Sequence, residues 1–106
     1  MATVAIVEDT TLQSTLVHKF IEGQHTVVGT AREGNAAVEL VQETNPDAVI
    51  MDLNLASGNG IDATEAIKAF DPSIGVVVST VHVSNDVFAE AIEAGADEYL
   101  SKPYSK

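Results

Sequence analysis

The chain has 106 residues, a length typical of one domain with one hydrophobic core. Apolar residues make up 45% of it, and the absence of cysteine excludes disulfides and thiolate metal sites. The formal net charge is −11, from 16 acidic and 5 basic residues, so we expect no direct binding of nucleic acid, which needs clustered bases. The sequence has neither an apolar run of membrane-spanning length nor a signal-peptide pattern, so we expect a cytoplasmic protein without membrane contact. An acidic surface is typical of soluble proteins and also of proteins from a high-salt cytoplasm, and the sequence leaves both open.

Short β-branched or apolar runs alternate with helical patterns along the chain. The runs predict five strands, at residues 3–7, 26–30, 47–51, 74–78 and 98–100. Between them, apolar residues at helical spacing predict four helices, which begin near residues 11, 37, 61 and 85. Glycine and proline are typical helix stops, and they end these helices at Gly23, Pro46, Pro72 and Gly95.

Regular alternation of strand and helix predicts an α/β fold, with a parallel sheet covered by helices on both faces. Five strands favour the flavodoxin-like, doubly wound order 2-1-3-4-5. Only six residues follow Leu100, so the fifth helix that should cover the last strand is missing from the pattern. We therefore expect one domain, residues 1–106, that is short at its C-terminus. Either the chain is cut short there or one face of the sheet is partly bare.

Polar side chains stand at the predicted carboxyl ends of the strands, where ligands bind in such sheets. They are Glu8, Asp9, Asp52, Ser79, Thr80 and Lys102. Three clustered carboxylates repel one another, which should raise at least one pKa unless a cation is bound. Oxygen ligands suit Mg²⁺, and Asp52 could attack phosphorus to give an aspartyl phosphate. Lys102 would then pair with the phosphoryl oxygens, and the Thr80 hydroxyl would donate to one of them.

A set of motifs occurs in a fixed order along the whole chain. It comprises the acidic pair Glu8-Asp9, then Asp52, Gly60, Thr80, the turn Gly95-Ala96-Asp97, Tyr99 and the pair Lys102-Pro103. In residue type, order and spacing this set resembles the receiver domain of two-component response regulators. The resemblance implies a phosphoacceptor with at most slow autodephosphorylation, and not an enzyme.

The resemblance also implies partners and a cofactor. A sensor histidine kinase or phosphotransfer protein would pass a phosphoryl group from its own histidine to Asp52, with Mg²⁺ as cofactor. The implied metal ligands are Asp9, Asp52 and the main-chain carbonyl of Asn54, with Glu8 acting largely through water. No other cofactor is implied.

Two residues are implied to act as the switch. In that family the hydroxyl, here Thr80, moves toward the phosphate, and the aromatic residue, here Tyr99, turns inward. This reshapes the face made by the fourth helix, the fifth strand and the fifth helix. A downstream output domain or protein would read that face, and a homodimer could be built on it.

Some positions depart from the family pattern. Val81 stands after Thr80 where the family usually has Ala or Gly, and its bulk would narrow phosphoryl access. Ala56 stands where the loop after the acceptor usually carries proline, and Thr10 takes the position after the acidic pair. His82 would either orient water near the phosphoryl site or be a solvated loop residue.

Two other functions are each suggested by part of the sequence. Asp52-Leu53-Asn54 is similar to the Asp-x-Asp of haloacid dehalogenase-type phosphatases, but Asn54 cannot donate the proton that such a phosphatase needs. A pseudo-receiver is a protein-interaction module that keeps the fold and is no longer phosphorylated. Asp52, Thr80 and Lys102 argue against it, whereas Val81 and the missing helix leave it open.

Overall fold

A computed structural model describes residues 2–9, 15, 17–19, 21–53, 60–80 and 85–101 of the chain. The strands are β1 (Thr3–Val7), β2 (Thr26–Ala31), β3 (Ala48–Asp52), β4 (Gly75–Thr80) and β5 (Glu98–Ser101). The helices with defined bounds are α1 (Gly34–Thr44), α2 (Gly60–Phe70) and α3 (Asn85–Ala94). Residues 15, 17–19 and 21 are also helical, which agrees with the helix predicted before Gly23.

The five strands form one parallel sheet in the order β2-β1-β3-β4-β5. This confirms the flavodoxin-like fold and strand order predicted from the sequence. β1 has the predicted bounds, and the other strands differ from prediction by one or two residues at an end. The largest difference is at β4, which continues through Ser79 and Thr80 because these two residues pair with Leu100 and Ser101 of β5.

The hydrophobic core lies on both faces of the sheet. On one face, alternate residues of β1, β3 and β4 pack against α1, α2 and α3. The fully buried residues of this cluster include Ala5, Val7, Val49, Met51, Val76 and Val78 from the strands and Val41, Ile67 and Ala91 from the helices. This alternation is what a pleated strand requires when each face meets a different layer. The small alanines let the helices lie close to the strands.

The other face of the sheet has a smaller buried cluster. Val4 and Ile6 of β1 pack there against Val17 and Ile21 of the N-terminal helical segment. Ile50 of β3 is only partly buried against this cluster. The prediction about a missing fifth helix concerns residues 102–106, which lie outside the described residues, so it stays a prediction.

The helices end where backbone conformation forces them to end. Asn45 follows α1 in the left-handed region with φ 47°, and its N–H donates to the Val41 carbonyl at 2.8 Å. Gly95 follows α3 with φ 107°, a conformation that costs glycine little. Both stops agree with the sequence prediction. Among the described residues, no helix is long and apolar enough to cross a bilayer.

Candidate functional site

Two buried acidic residues lie at the carboxyl edge of the sheet. Val7 of β1 is paired with Met51 of β3, so the next residues, Glu8 and Asp52, follow side by side at the ends of neighbouring strands. Glu8 is fully buried, and Asp52 is 4% exposed. The sheet reverses its strand order between β1 and β3, and ligands bind at such a switch point. The structure thus places both acids where the sequence predicted a site.

Two buried residues with hydroxyl groups lie on the strand on the other side of Asp52. Asp52 is paired with Ser79 of β4, and Thr80 ends that strand. Ser79 is fully buried and Thr80 is 1% exposed, so neither residue is a surface polar group. A buried hydroxyl near a carboxylate can donate a hydrogen bond to an oxygen atom of a group that becomes bonded to that carboxylate.

The start of α2 is packed directly against the backbone of Asp52. A Cβ atom built on Gly60 would lie 2.5 Å from the Asp52 carbonyl oxygen and 2.8 Å from the Leu53 Cα. Any side chain at position 60 would therefore displace the backbone that carries Asp52. The Thr64 hydroxyl donates to the Gly60 carbonyl at 2.8 Å and ties this first turn to the next one. The match of Gly60 to the family motif thus has a steric reason.

Asp9 lies at the same edge, partly exposed, and is held by a residue that the sequence analysis did not single out. The Arg32 side chain donates to the Asp9 carbonyl oxygen through Nε at 3.3 Å and through Nη2 at 3.2 Å. Arg32 directly follows β2, whose carboxyl end lies at this edge too. Two features of the sequence could have identified it: it is the single arginine of the chain, and it stands two residues after the end of a predicted strand.

Tyr99 lies on β5 beside an exposed apolar surface of α3. Its ring meets the ring of Phe88 edge to face, with the centroids 5.2 Å apart. Phe88 is 49% exposed and Ile92, one turn further along α3, is 46% exposed. Tyr99 is paired with Val78, two residues before Thr80, so the two predicted switch residues stand on neighbouring strands.

The remaining predicted residues lie outside the described part of the chain. They are Asn54, Lys102 and Pro103, together with the departures from the pattern at Thr10, Ala56, Val81 and His82. Lys102 directly follows Ser101, which is paired with Thr80, so only its place in the sequence is known. Its role, and that of Asn54, stay predictions.

The residues at this edge fit a hard divalent cation by their chemistry. Buried carboxylates such as Glu8 and Asp52 are costly in a protein interior unless a proton, hydrogen bonds or a cation compensates their charge. Carboxylate and carbonyl oxygens are what Mg²⁺ binds, usually through one or two carboxylates with water and phosphate completing the shell. Within the described ranges, no group of three or more His, Cys, Asp or Glu side chains is arranged to hold a metal ion by itself. The predicted set differs from such a group, since its third ligand is the carbonyl of Asn54.

Comparisons with known proteins agree with this fold. Residues 4–106 match the family described as the response regulator receiver domain. The chain is 33% identical over 103 residues to chemotaxis protein CheY of Halobacterium salinarum, covering 97% of this chain and 86% of that protein. It is 35% identical over 100 residues to the transcriptional regulatory protein ZraR of Klebsiella oxytoca, covering 94% of this chain but 23% of that longer protein.

A solved structure is also closely similar. The crystal structure of a two-component response regulator of the LuxR family from an Aurantimonas species superposes with a TM-score of 0.93 at 32% identity, covering 99% of this chain and 76% of that one. The fold is therefore that of a two-component receiver. Because the family match spans nearly all of the sequence, this chain belongs to the response regulator receiver domain family.

Proposed function

We propose that residues 1–106 act as one phosphoacceptor domain, in which Asp52 receives a phosphoryl group and the domain passes this change to a protein partner. The observation that carries the proposal is the position of Asp52. It is a buried carboxylate at the carboxyl end of β3, flanked by Glu8 after β1 and by Ser79 and Thr80 at the end of β4. Family membership supports the general class, and the residue roles are proposed from this geometry.

In the proposed reaction an Asp52 carboxylate oxygen attacks phosphorus and forms a new P–O bond. The P–N bond to a histidine of the donor breaks, and its electron pair returns to the imidazole nitrogen, which takes up a proton. Thr80 donates a hydrogen bond to one phosphoryl oxygen, and Lys102 pairs with another. This transfer requires no general acid from this chain. We propose a phosphoacceptor with at most slow autodephosphorylation.

Asp9, Asp52 and the Asn54 carbonyl would hold Mg²⁺, with Glu8 acting through water. The ion would neutralise the charge that builds up between the acceptor carboxylate and the incoming phosphoryl group. The close approach of Gly60 to the backbone of Asp52 and Leu53 restricts their movement toward α2 and would help to align the attacking oxygen.

The proposed donor is a sensor histidine kinase or a phosphotransfer protein. For the receiving partner, an output domain or protein, we propose the surface of α3 and β5 around Phe88, Ile92 and Tyr99. The same helix and strand carry four exposed acids: Asp86, Glu90, Glu93 and Glu98. A partner with an apolar centre and a basic rim would complement it. A homodimer through the same surface would bring these acids face to face, so it would require neutralisation of their charge.

The test is mass spectrometry of the intact protein after incubation with acetyl phosphate and Mg²⁺. The expected result is a single phosphoryl adduct on the wild type and none on Asp52→Asn. Asp62→Asn is the matched control, since it removes an exposed carboxylate from the first turn of α2 and should leave the adduct unchanged. Wild-type protein without an Asp52-dependent adduct would overturn the proposal and favour the pseudo-receiver alternative. That alternative predicts a partner bound equally well by wild type and Asp52→Asn.

A further inference from the structure

Arg32 continues the β1–β2 ladder by one residue beyond its last backbone bond. Val7 and Ala31 form the final pair of the two strands, and the Glu8 N–H donates to the Ala31 carbonyl at 3.0 Å. The carbonyl of Asp9, the residue after Glu8, accepts from the Arg32 side chain. The guanidinium therefore links the two chain segments one residue beyond the hydrogen bond between Glu8 and Ala31.

These hydrogen bonds restrain the backbone on both sides of Asp9. The N–H of Glu8, one residue before Asp9, is bonded to β2, and the carbonyl of Asp9 itself is bonded to Arg32, so the chain is held just before and just after the Asp9 side chain. The two donors of Arg32 come from one rigid planar group, which lysine cannot reproduce. Arg32 itself is exposed, so its replacement leaves no cavity in the core.

We infer that Arg32 is a positioning residue for Asp9: it holds the main chain so that the Asp9 carboxylate faces the acidic edge formed with Asp52. The inference rests on the proposed function, in which Asp9 is a ligand of Mg²⁺. Arg32 acts through the carbonyl of Asp9. Its positive charge alone would oppose the binding of a cation, so position and charge have opposite effects on Mg²⁺ affinity and can be separated.

Arg32→Lys keeps the charge and removes the planar pair of donors. For this variant we expect about tenfold weaker Mg²⁺ binding by titration calorimetry, at the lower end of the effect for groups that orient metal ligands. The Mg²⁺ concentration for half-maximal phosphorylation of Asp52 by acetyl phosphate should rise by the same factor. The rate at saturating Mg²⁺ should not change, because the reacting groups are intact. A merely structural role would lower that rate or the fraction of folded protein instead.

Arg32→Gln removes the charge as well, and Lys19→Gln is its matched control, because Lys19 is exposed on the N-terminal helical segment. Lys19→Gln should bind Mg²⁺ like the wild type. If Arg32→Lys binds Mg²⁺ like the wild type, Arg32 does not position Asp9. Tighter binding by Arg32→Gln in that case would show that only the charge of Arg32 affects Mg²⁺ affinity. Wild-type protein that binds no Mg²⁺ and forms no adduct would overturn the proposed function itself, and the role of Arg32 with it.

Discussion

The rings of Phe88 on α3 and Tyr99 on β5 meet edge to face, with the centroids 5.2 Å apart and the planes at 70°. In this arrangement the positive edge of one ring points at the negative face of the other, which is a favourable geometry for aromatic pairs. Tyr99 is also the proposed switch aromatic. Phe88 therefore restrains the residue whose reorientation would carry the signal, and any movement of Tyr99 has to break this contact.

A double-mutant cycle measures that restraint. For Phe88→Leu, Tyr99→Leu and the double variant we expect a coupling free energy of about 0.5–1.5 kcal/mol in urea unfolding. Leucine keeps much of the apolar area and removes the ring, so the cycle isolates the aromatic pair. Phe70→Leu serves as the control partner, since Phe70 is similarly exposed but ends α2. Its effect should add to that of Tyr99→Leu, and an additive Phe88–Tyr99 cycle would show that the contact does not hold Tyr99.

Gly60→Ala should destabilise the protein by about 1–3 kcal/mol, the usual cost of overpacking. The new methyl would lie 2.5 Å from the Asp52 carbonyl oxygen, and a backbone group cannot move aside as a flexible side chain can. Alanine gains less than about 1 kcal/mol of helix propensity over glycine, so the steric term prevails. Slower phosphorylation of Asp52 should accompany the loss, because the acceptor backbone has to shift.

Gly75→Ala is the matched control for that substitution. A Cβ atom at Gly75 would meet the Asp47 carbonyl oxygen at 3.9 Å and the Ala48 Cβ at 4.0 Å, which are ordinary contacts. Its midpoint in urea and its phosphorylation rate should stay close to those of the wild type. If both alanine variants behave alike, the close approach of α2 to Asp52 does not constrain the acceptor.

The sequence was sufficient for the fold because its local patterns agree with the tertiary structure. β1 ends at Val7 as predicted, since the apolar run stops at two acids there, and those acids fall at the edge where parallel strands expose their ends. The position of Asp52 beside Glu8 followed from the strand order alone. Periodicity and turn residues predict where strands and helices begin and end, because these bounds depend on neighbouring residues in the chain.

The contact of Arg32 with Asp9 could not be predicted in the same way. The register of β1 with β2 shifts between Val4 and Ala5, so that Val4 is paired with Val27 but Ala5 with Gly29. Because of this irregularity Arg32 falls in register with Glu8, whereas an unshifted ladder would place it opposite Asp9. No pattern in the sequence reveals the shift, and the sequence separation of 23 between the two partners excludes a local rule. The Phe88–Tyr99 contact escaped prediction for a related reason, because it depends on how α3 packs against β5.

Mg²⁺ should stabilise the wild-type protein, since an ion that binds only the folded state raises the free energy of unfolding by mass action. At 100 times the dissociation constant this gain is about 2.7 kcal/mol. Asp52→Asn should reduce the gain by removing a ligand. Without Mg²⁺ the same variant should melt at or above the wild-type temperature, because it removes one of two buried carboxylates at the same edge. Thermal unfolding by circular dichroism, with and without Mg²⁺, checks both. A metal-free Asp52→Asn variant that melts far below the wild type would show that the acids do not repel one another.

Asp97 should contribute stability that depends on pH. Its carboxylate accepts from Lys68 Nζ at 2.8 Å and from the Val76 N–H at 2.9 Å, and these two bonds lower its pKa from the ordinary value of 3.8. The contribution is therefore fully present above the pKa of the unfolded chain and is lost as the pH falls through the lower pKa of the folded state. Because Asp97 is half-exposed, we expect Asp97→Asn to cost only about 0.5–2 kcal/mol at pH 7.

Urea unfolding of wild type and Asp97→Asn over a pH series tests this. The difference between their free energies of unfolding should be constant from neutral pH down to about pH 5 and should shrink below about pH 4, where the unfolded carboxylate binds a proton first. In a Lys68→Gln background the difference should be smaller at neutral pH, since Lys68 is the larger cause of the lowered pKa of Asp97. A difference that persists unchanged at pH 3 would mean that the uncharged Asp97 carboxyl stabilises the protein through its hydrogen bond to Val76. The charge of Asp97 would then not be what holds the turn after α3 to the end of α2.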